Sequence, residues 1–354
     1  MDLFLLLFLL WAAPVLGAPG GQFVRVGAMT SARAKHSATL LYNGTVLIAG
    51  GVGSNGNFLS SAELYDPSTR KFTATGSMIQ ARAGHSSVRL INGSVLIIGG
   101  SGSTGALDLC EIYDPASGKF LPTGSLHTRR AGATATRLQD NRILVVGGFG
   151  SDGQSLASAE LYDRNGKFSV AATMATPRSF HTATLLPHEC VLITGGMGAT
   201  GALNSAELYT AELNRFLTLP TMSAARYRHA AVSLAEGSVL LIGGANGDKQ
   251  PGIATAEIFD LAKKKFLAVG SMLQPHFDLP YPVVLSSGKV FVVGGARISE
   301  LYDPANGTFA AATKWADRFP EYQTATQLSD GDVLVTGGSD SKKQQTAQAY
   351  IYVP

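Results

Sequence analysis

Seven glycine pairs recur along the chain at a spacing of roughly 48 residues: Gly50-Gly51, Gly99-Gly100, Gly147-Gly148, Gly195-Gly196, Gly243-Gly244, Gly294-Gly295 and Gly337-Gly338. Each follows a short apolar run such as Val46-Leu47-Ile48-Ala49. A fixed period in this range means that one supersecondary block is repeated, and that each block buries its apolar faces only against its neighbours. The repeat settles the architecture before any residue is given a role.

Within one unit the pattern resolves into four strands. His36 to Leu41 alternates with a β-branched bias, and an Asn43-Gly44 turn leads into Val46 to Ala49, so these read as strands a and b of a hairpin. Asn-Gly favours the tight turn whose two central residues need positive φ. Ala62-Glu63-Leu64-Tyr65 reads as strand c, closed by Asp66-Pro67, and strand d opens at Lys71-Phe72. A phenylalanine opens strand d in every unit that has one: Phe72, Phe120, Phe168, Phe216, Phe266 and Phe309.

Phe23 stands 27 residues before Gly50, the separation of Phe72 from Gly99, so the first strand is a d strand without its own a, b and c. The C-terminus has the complementary deficit: Tyr350 aligns with Tyr302 and Tyr65 of strand c, and no d strand follows it. The expected fold is all-β, a closed ring of seven four-stranded antiparallel blades in which residues 22 to 28 complete the last. Closure removes the unpaired edges of an open array.

The Gly-Gly after strand b, the Tyr-Asp-Pro of strand c and the Arg-x-x-His before strand a resemble kelch repeats, in register over residues 22 to 354. The resemblance implies a kelch-type propeller. That family includes partner-binding scaffolds, carbohydrate oxidases of the galactose oxidase group and sugar epimerases, and the fold alone does not choose among them.

Residues 3 to 16 form an apolar run ending at Val15-Leu16-Gly17, which reads as a secretory signal over 1–17 with the propeller over 18–354, although the usual basic n-region is absent. The run is too short to span a bilayer, which takes about 20 residues. A secreted protein is therefore expected, extracellular or, in a bacterium, periplasmic. Only 15% of residues are charged and the net charge is +3, with basic residues scattered among the turns, so no nucleic-acid surface is expected. Cys110 and Cys190 fall at opposite ends of non-adjacent blades, too far apart for a disulfide, and are read as free thiols. Asn43, Asn92 and Asn306 begin Asn-x-Ser/Thr acceptors on turns, where they serve either as glycan sites or simply as turn formers.

Arg33, Arg82, Arg130, Arg178 and Arg226 hold one position in the first five units. His36, His85, His181 and His229 follow three residues later, with Ala133 breaking the series. Glu63, Glu111, Glu160, Glu207, Glu257 and Glu300 open strand c at the same end. Residues present in nearly every blade suit a structural ion pair better than a site, because a ligand breaks ring symmetry. The last unit carries Pro320 and Gln348 in place of both partners, and Arg297 is read as the substitute in unit six. Histidines spread one per blade do not converge on a metal, so no metal is expected.

Units six and seven depart from the pattern together, with one extra residue each and, in unit six, a shortened b-to-c loop. Two readings stand: a ligand site built from His276, Asp278, Tyr281, Arg297, Trp315, Asp317, Arg318, Glu321 and Tyr322, or a worn repeat that seals the ring. The first gives a non-catalytic propeller that binds a protein or glycan through the d-to-a and b-to-c loop face, acting as a monomer without a cofactor. The alternative is a sugar epimerase or mutarotase drawing an acid–base pair from His276, Asp278, Asp317 or Glu321. A copper-radical oxidase would need a Tyr-His pair and a Cys beside a Tyr, and the chain offers only Tyr227-Arg228-His229.

Overall fold

The computed structural model describes residues 21–247, 252–276, 279–314 and 319–354. Strands Ser37–Leu40, Val46–Ala49, Ala62–Asp66 and Lys71–Ala74 pair antiparallel in the order a-b-c-d, and six further four-stranded sheets repeat the plan. Strand a of each blade lies against strand a of the next, from blade one around to blade seven and back, so the sheets form a closed seven-bladed propeller. A single 3-10 turn, Ala235–Gly237, is the one helical piece among the described residues.

The last blade joins Thr324–Gln327, Val333–Thr336 and Ala349–Val353 to the N-terminal strand Gln22–Arg25. Phe23 faces Tyr352 and Val24 faces Ile351. This register corrects the alignment of strand c. Val46 faces Tyr65 and Val333 faces Tyr352, so Tyr352, not Tyr350, is the counterpart of Tyr65. Tyr350, not Gln348, then stands in the glutamate's place, because it faces Val335 as Glu63 faces Ile48. A two-residue slip keeps every side chain on the same face of a strand, and Tyr350 and Tyr352 differ by two, so alternation alone does not separate them.

Strand b is buried end to end because it is covered on both faces. Leu47 and Ala49 of blade one pack with Val95 and Ile97 of blade two, whereas Val46 and Ile48 pack with Leu334 and Ile351 of blade seven. Seven such clusters, each shared by two adjacent blades, form the core. That arrangement explains why the b strands read as unbroken apolar runs rather than as alternating ones.

The glycine pairs are the seams between blades. A Cβ on Gly50 would come within 2.6 Å of the Arg82 carbonyl oxygen and 2.9 Å of the His85 ring. The N–H of Gly51 donates to that same carbonyl at 2.8 Å, and Gly100, Gly148, Gly196, Gly244 and Gly338 repeat the bond to the blade that follows. Side chains at these positions would push the neighbouring blade away.

The recurring arginine braces the blade from inside. Arg82 is fully buried and donates through Nη2 to Glu111 Oε1 at 2.6 Å, and through Nη1 to the carbonyls of Gly99 and Leu109, both at 2.7 Å. Glu111 also accepts the backbone N–H groups of Ile79 and Gln80, so one carboxylate ties strand c to the d-to-a loop. Arg33–Glu63, Arg130–Glu160, Arg178–Glu207 and Arg226–Glu257 repeat the pair within their own blades at 2.7 to 3.2 Å. In blade six His276, and not Arg297, fills the place. Its Nδ1 lies 2.6 Å from the Gly294 carbonyl and its Nε2 lies 3.1 Å from Glu300 Oε1, so both ring nitrogens face acceptors as the guanidinium does elsewhere. Arg297 is exposed, and its backbone N–H meets Gln274.

Candidate active site

The segment leading into strand a divides its labour residue by residue. Arginine braces its own blade, and the next residue bridges the chain just past the glycine pair, as Ala34 does with Val52 and Ala83 with Ser101. The residue after that adopts a left-handed conformation in every blade: Lys35, Gly84, Gly132, Phe180, Arg228, Leu279 and Tyr322 all have φ between 51° and 60°. Their backbones link the blades around the axis. Lys35 donates to Tyr322, Gly84 to Lys35, Gly132 to Gly84, Phe180 to Gly132, Arg228 to Phe180 and Leu279 to Arg228, at 2.9 to 3.3 Å. Non-glycine residues pay a conformational cost there, which the inter-blade hydrogen bond offsets.

Around this ring the axis opens into a cavity of about 500 Å³. All seven ring residues line it, with Phe58, Phe149 and Tyr281 among the further walls. The Lys35 ammonium lies 4.5 Å from the centroid of the Tyr322 ring. The Arg228 guanidinium lies 4.9 Å from Phe180 and 5.8 Å from Tyr322, so the cations sit against aromatic faces. The described lining residues include these two cations and no carboxylate.

Three of the repeated histidines, His36, His85 and His181, also reach this wall. Their Nε2 atoms are committed to hydroxyls of the preceding blade: His36 to Thr336 at 3.0 Å, His85 to Ser37 at 2.9 Å and His181 to Thr134 at 2.9 Å. Burial, reinforced by the adjacent arginine charge, pushes each from the ordinary 6.5 down to about 3, so they are neutral struts between blades. Burial likewise raises the Tyr281 phenol to about 12.

Of the nine residues expected at the site, Tyr281 and Tyr322 come together in this axial cup. His276 is buried with Glu300 inside blade six, and Arg297 is on the outside. Glu321 bridges Ser339 through its backbone. Asp278, Trp315, Asp317 and Arg318 lie outside the described residues, as does the expected signal segment. The two cysteines are unpaired, and burial raises the Cys110 thiol to about 12. Asn43, Asn92 and Asn306 are exposed on turns at the end opposite the cup, and their side-chain oxygens accept from Thr45, Ser94 and Thr308. Lys35, Gly84, Gly132, Phe180 and Arg228 were not singled out by sequence. Their signal is that they occupy one repeat position with a different residue in almost every unit, beside positions that hardly vary.

The family model described as Kelch motif matches residues 33–79 and 129–175. No curated protein matches the chain. Among solved structures the chain is similar to a fungal alcohol oxidase of the AA5 family in complex with copper, with 17% identity, a TM-score of 0.75 and coverage of 95% of this chain and 76% of that one. This likeness is one of fold. It nevertheless corrects the expectation of a non-catalytic propeller, since the structure that this chain parallels along nearly its whole length is an enzyme's.

Copper does not fit the described residues. No group of three or more His, Cys, Asp or Glu among them is placed to hold a metal ion. The cup histidines spend Nε2 on blade hydroxyls, their Nδ1 atoms are buried, and neither cysteine lines the cup. Among the described residues no helix is long and apolar enough to cross a membrane. Repeat, blade plan and motif agree: the chain is a seven-bladed β-propeller that carries kelch motifs.

Proposed function

We propose that this chain is an enzyme whose substrate, a small organic molecule with an oxygen-bearing head, binds in the axial cup. One observation carries the reading: a single repeat position, held in the same backbone conformation seven times, bears Lys, Gly, Gly, Phe, Arg, Leu and Tyr in turn. A purely structural position would repeat its residue, as the adjoining arginine does in five blades. A concave, mostly apolar pocket with a few convergent polar groups has the form of a small-molecule site. The similar fungal structure is that of an alcohol oxidase, which supports the reading of an oxygen-bearing substrate.

Among the groups of the described cup that carry exchangeable protons, the Lys35 ammonium and the Tyr322 phenol stand together, the ammonium 4.5 Å from the Tyr322 ring centroid. The chemistry open to them is proton transfer to or from the substrate head, with Arg228 orienting it. The test is ligand-observed NMR over a panel of small alcohols, carbonyl compounds and carboxylates, followed by turnover or solvent-deuterium exchange of the binders. Lys35→Gln and Tyr322→Phe are expected to lower turnover at least tenfold with unchanged melting. A panel that shows neither binding nor exchange overturns the proposal. We also infer that the mature chain is exported, on the strength of the apolar run at residues 3 to 16; N-terminal sequencing of the protein from its native host, showing residue 1 retained, would overturn that.

A further inference from the structure

Blade seven has lost the brace of the other blades but kept the mould around it. In blade one the Arg33 guanidinium donates to the carbonyls of Gly50 and Ser61, at 2.7 and 3.0 Å, and to the Glu63 carboxylate at 2.8 Å. The blade-seven counterparts of these four residues are Pro320, Gly337, Gln348 and Tyr350. The backbone course is the same. Gly337 N–H donates to the Gln348 carbonyl at 3.0 Å as Gly50 does to Ser61 at 3.1 Å, and Thr346 donates to Gly338 at 2.9 Å as Leu59 does to Gly51. Where five blades hold a guanidinium and blade six an imidazole, blade seven holds a cavity of about 150 Å³.

Pro320, Gly337, Asp340, Thr346, Gln348 and Tyr350 line this cavity. The carbonyl at the first glycine of the pair takes arginine Nη1 in blades one to five and faces His276 Nδ1 in blade six. Among the described residues nothing donates to its counterpart on Gly337. Asp340 supplies a carboxylate where the brace glutamate is absent. Its Oδ1 accepts the N–H groups of Lys342 and Gln344, both at 2.9 Å, and no hydrogen bond reaches its Oδ2 among the described residues. Gln323, 1% exposed with an unpartnered amide, also contributes to the wall. Gln348 is exposed and Asp340 and Thr346 are half-buried, so the cavity opens to solvent beside the b-to-c loop. Lys342 and Lys343 of that loop are exposed and do not line it.

We propose that blade seven binds a guanidinium group from outside the chain in this cavity, donating to the Gly337 and Gln348 carbonyls with its charge against Asp340. The backbone acceptors are those that the repeat sets around a planar fork of N–H donors, and an ammonium is a compact, strongly hydrated point charge that fits them less well. The same chemistry is carried by the arginine side chain of a peptide and by a small free guanidine. Among the described residues the cavity shares no lining residue with the axial cup, so this inference stands apart from the substrate reading.

The test titrates ethylguanidinium, ethylammonium and the peptide acetyl-Gly-Arg-Gly-amide into the full chain and two variants, by calorimetry and ligand-observed NMR. Pro320→Arg combined with Tyr350→Glu rebuilds the brace within the chain, and Asp340→Asn removes the charge while keeping the oxygen that the loop amides use. Ethylguanidinium is expected to bind roughly tenfold tighter than ethylammonium, to weaken in Asp340→Asn and to lose its site in the double variant. Asp340→Asn decides alone where the double variant does not fold. A peptide that binds tighter than ethylguanidinium assigns the site to an arginine of a partner chain, and the reverse order assigns it to a free guanidine. No binding of ethylguanidinium, equal binding of ethylammonium, or affinity unchanged in Asp340→Asn or in the folded double variant overturns the proposal.

Discussion

The arginine that recurs in five blades is matched at once by a glutamate and, in Arg82, by two carbonyl oxygens as well. Such a pair gains little over apolar residues of the same volume, but removing one member strands the other in the interior. Arg82→Ala is therefore expected to lower stability by about 3 to 5 kcal/mol in urea unfolding. Arg129→Ala, whose partner Asp108 is also well exposed, should cost under about 1 kcal/mol. Equal costs would show that the brace is not what holds the blade. The histidines behave oppositely. They are buried neutral, so below pH 6.5 the unfolded chain takes up protons that the native one refuses until about pH 3. Their contribution is fully present above pH 6.5 and is lost as pH falls, at up to about 1.4 kcal/mol per pH unit for each histidine. Denaturant unfolding between pH 6.5 and 5, above most carboxylate titration, should show this slope, and His181→Gln should flatten it. A profile identical in the variant would refute the strut.

At the level of the blade, what the sequence disclosed and what it hid have physical reasons. Glycine pairs and strand-d phenylalanines mark places where backbone approach or ring stacking admits one residue, so strand number and the shared last blade were legible. Tyr350 was misplaced because a strand's period of two makes a two-residue slip silent, and only pairing with Phe23 fixes Tyr352 as the true counterpart. His276 was taken for a ligand residue because it is not arginine. Yet Met272 precedes it by four residues as Met222 precedes Arg226, a spacing that identifies the brace position. The cup is silent in the spacing of the units, because its ring residues change identity at a fixed repeat position. Blade seven has neither arginine nor glutamate, with Pro320 and Tyr350 in their places, and its Gln323 amide is buried without a hydrogen-bond partner. It is expected to be the least protected blade in native-state hydrogen exchange, its Ala349–Val353 amides exchanging before those of Cys110–Asp114 in blade two. Uniform protection around the ring would contradict this.

The whole ring depends on one non-local pairing. Thirty residues or fewer separate the paired strands within blades one to six, but Gln22–Arg25 must find Ala349–Val353 at the far end of the chain. Until it does, blade seven has three strands and an open edge, and Tyr352 lacks the ring of Phe23 that covers it at 5.5 Å. The closure also carries a second blade, because Gly27 donates to the Arg70 carbonyl at 3.1 Å and the Thr30 and Ser31 amides cap Glu63 of blade one. Loss of the residues before 30 therefore removes the blade-seven edge and the Gly27 link to blade one together. A mature chain beginning at residue 30 should unfold over a broad transition with a reduced denaturant dependence, because the remaining blades no longer form one cooperative circle. Phe23→Ala, which keeps the backbone pairing and removes only the ring, should retain a single sharp transition with a lower midpoint. Should the truncated chain melt as sharply as the intact one, closure would be a cap on an already stable array rather than the bond that makes seven blades a single folding unit.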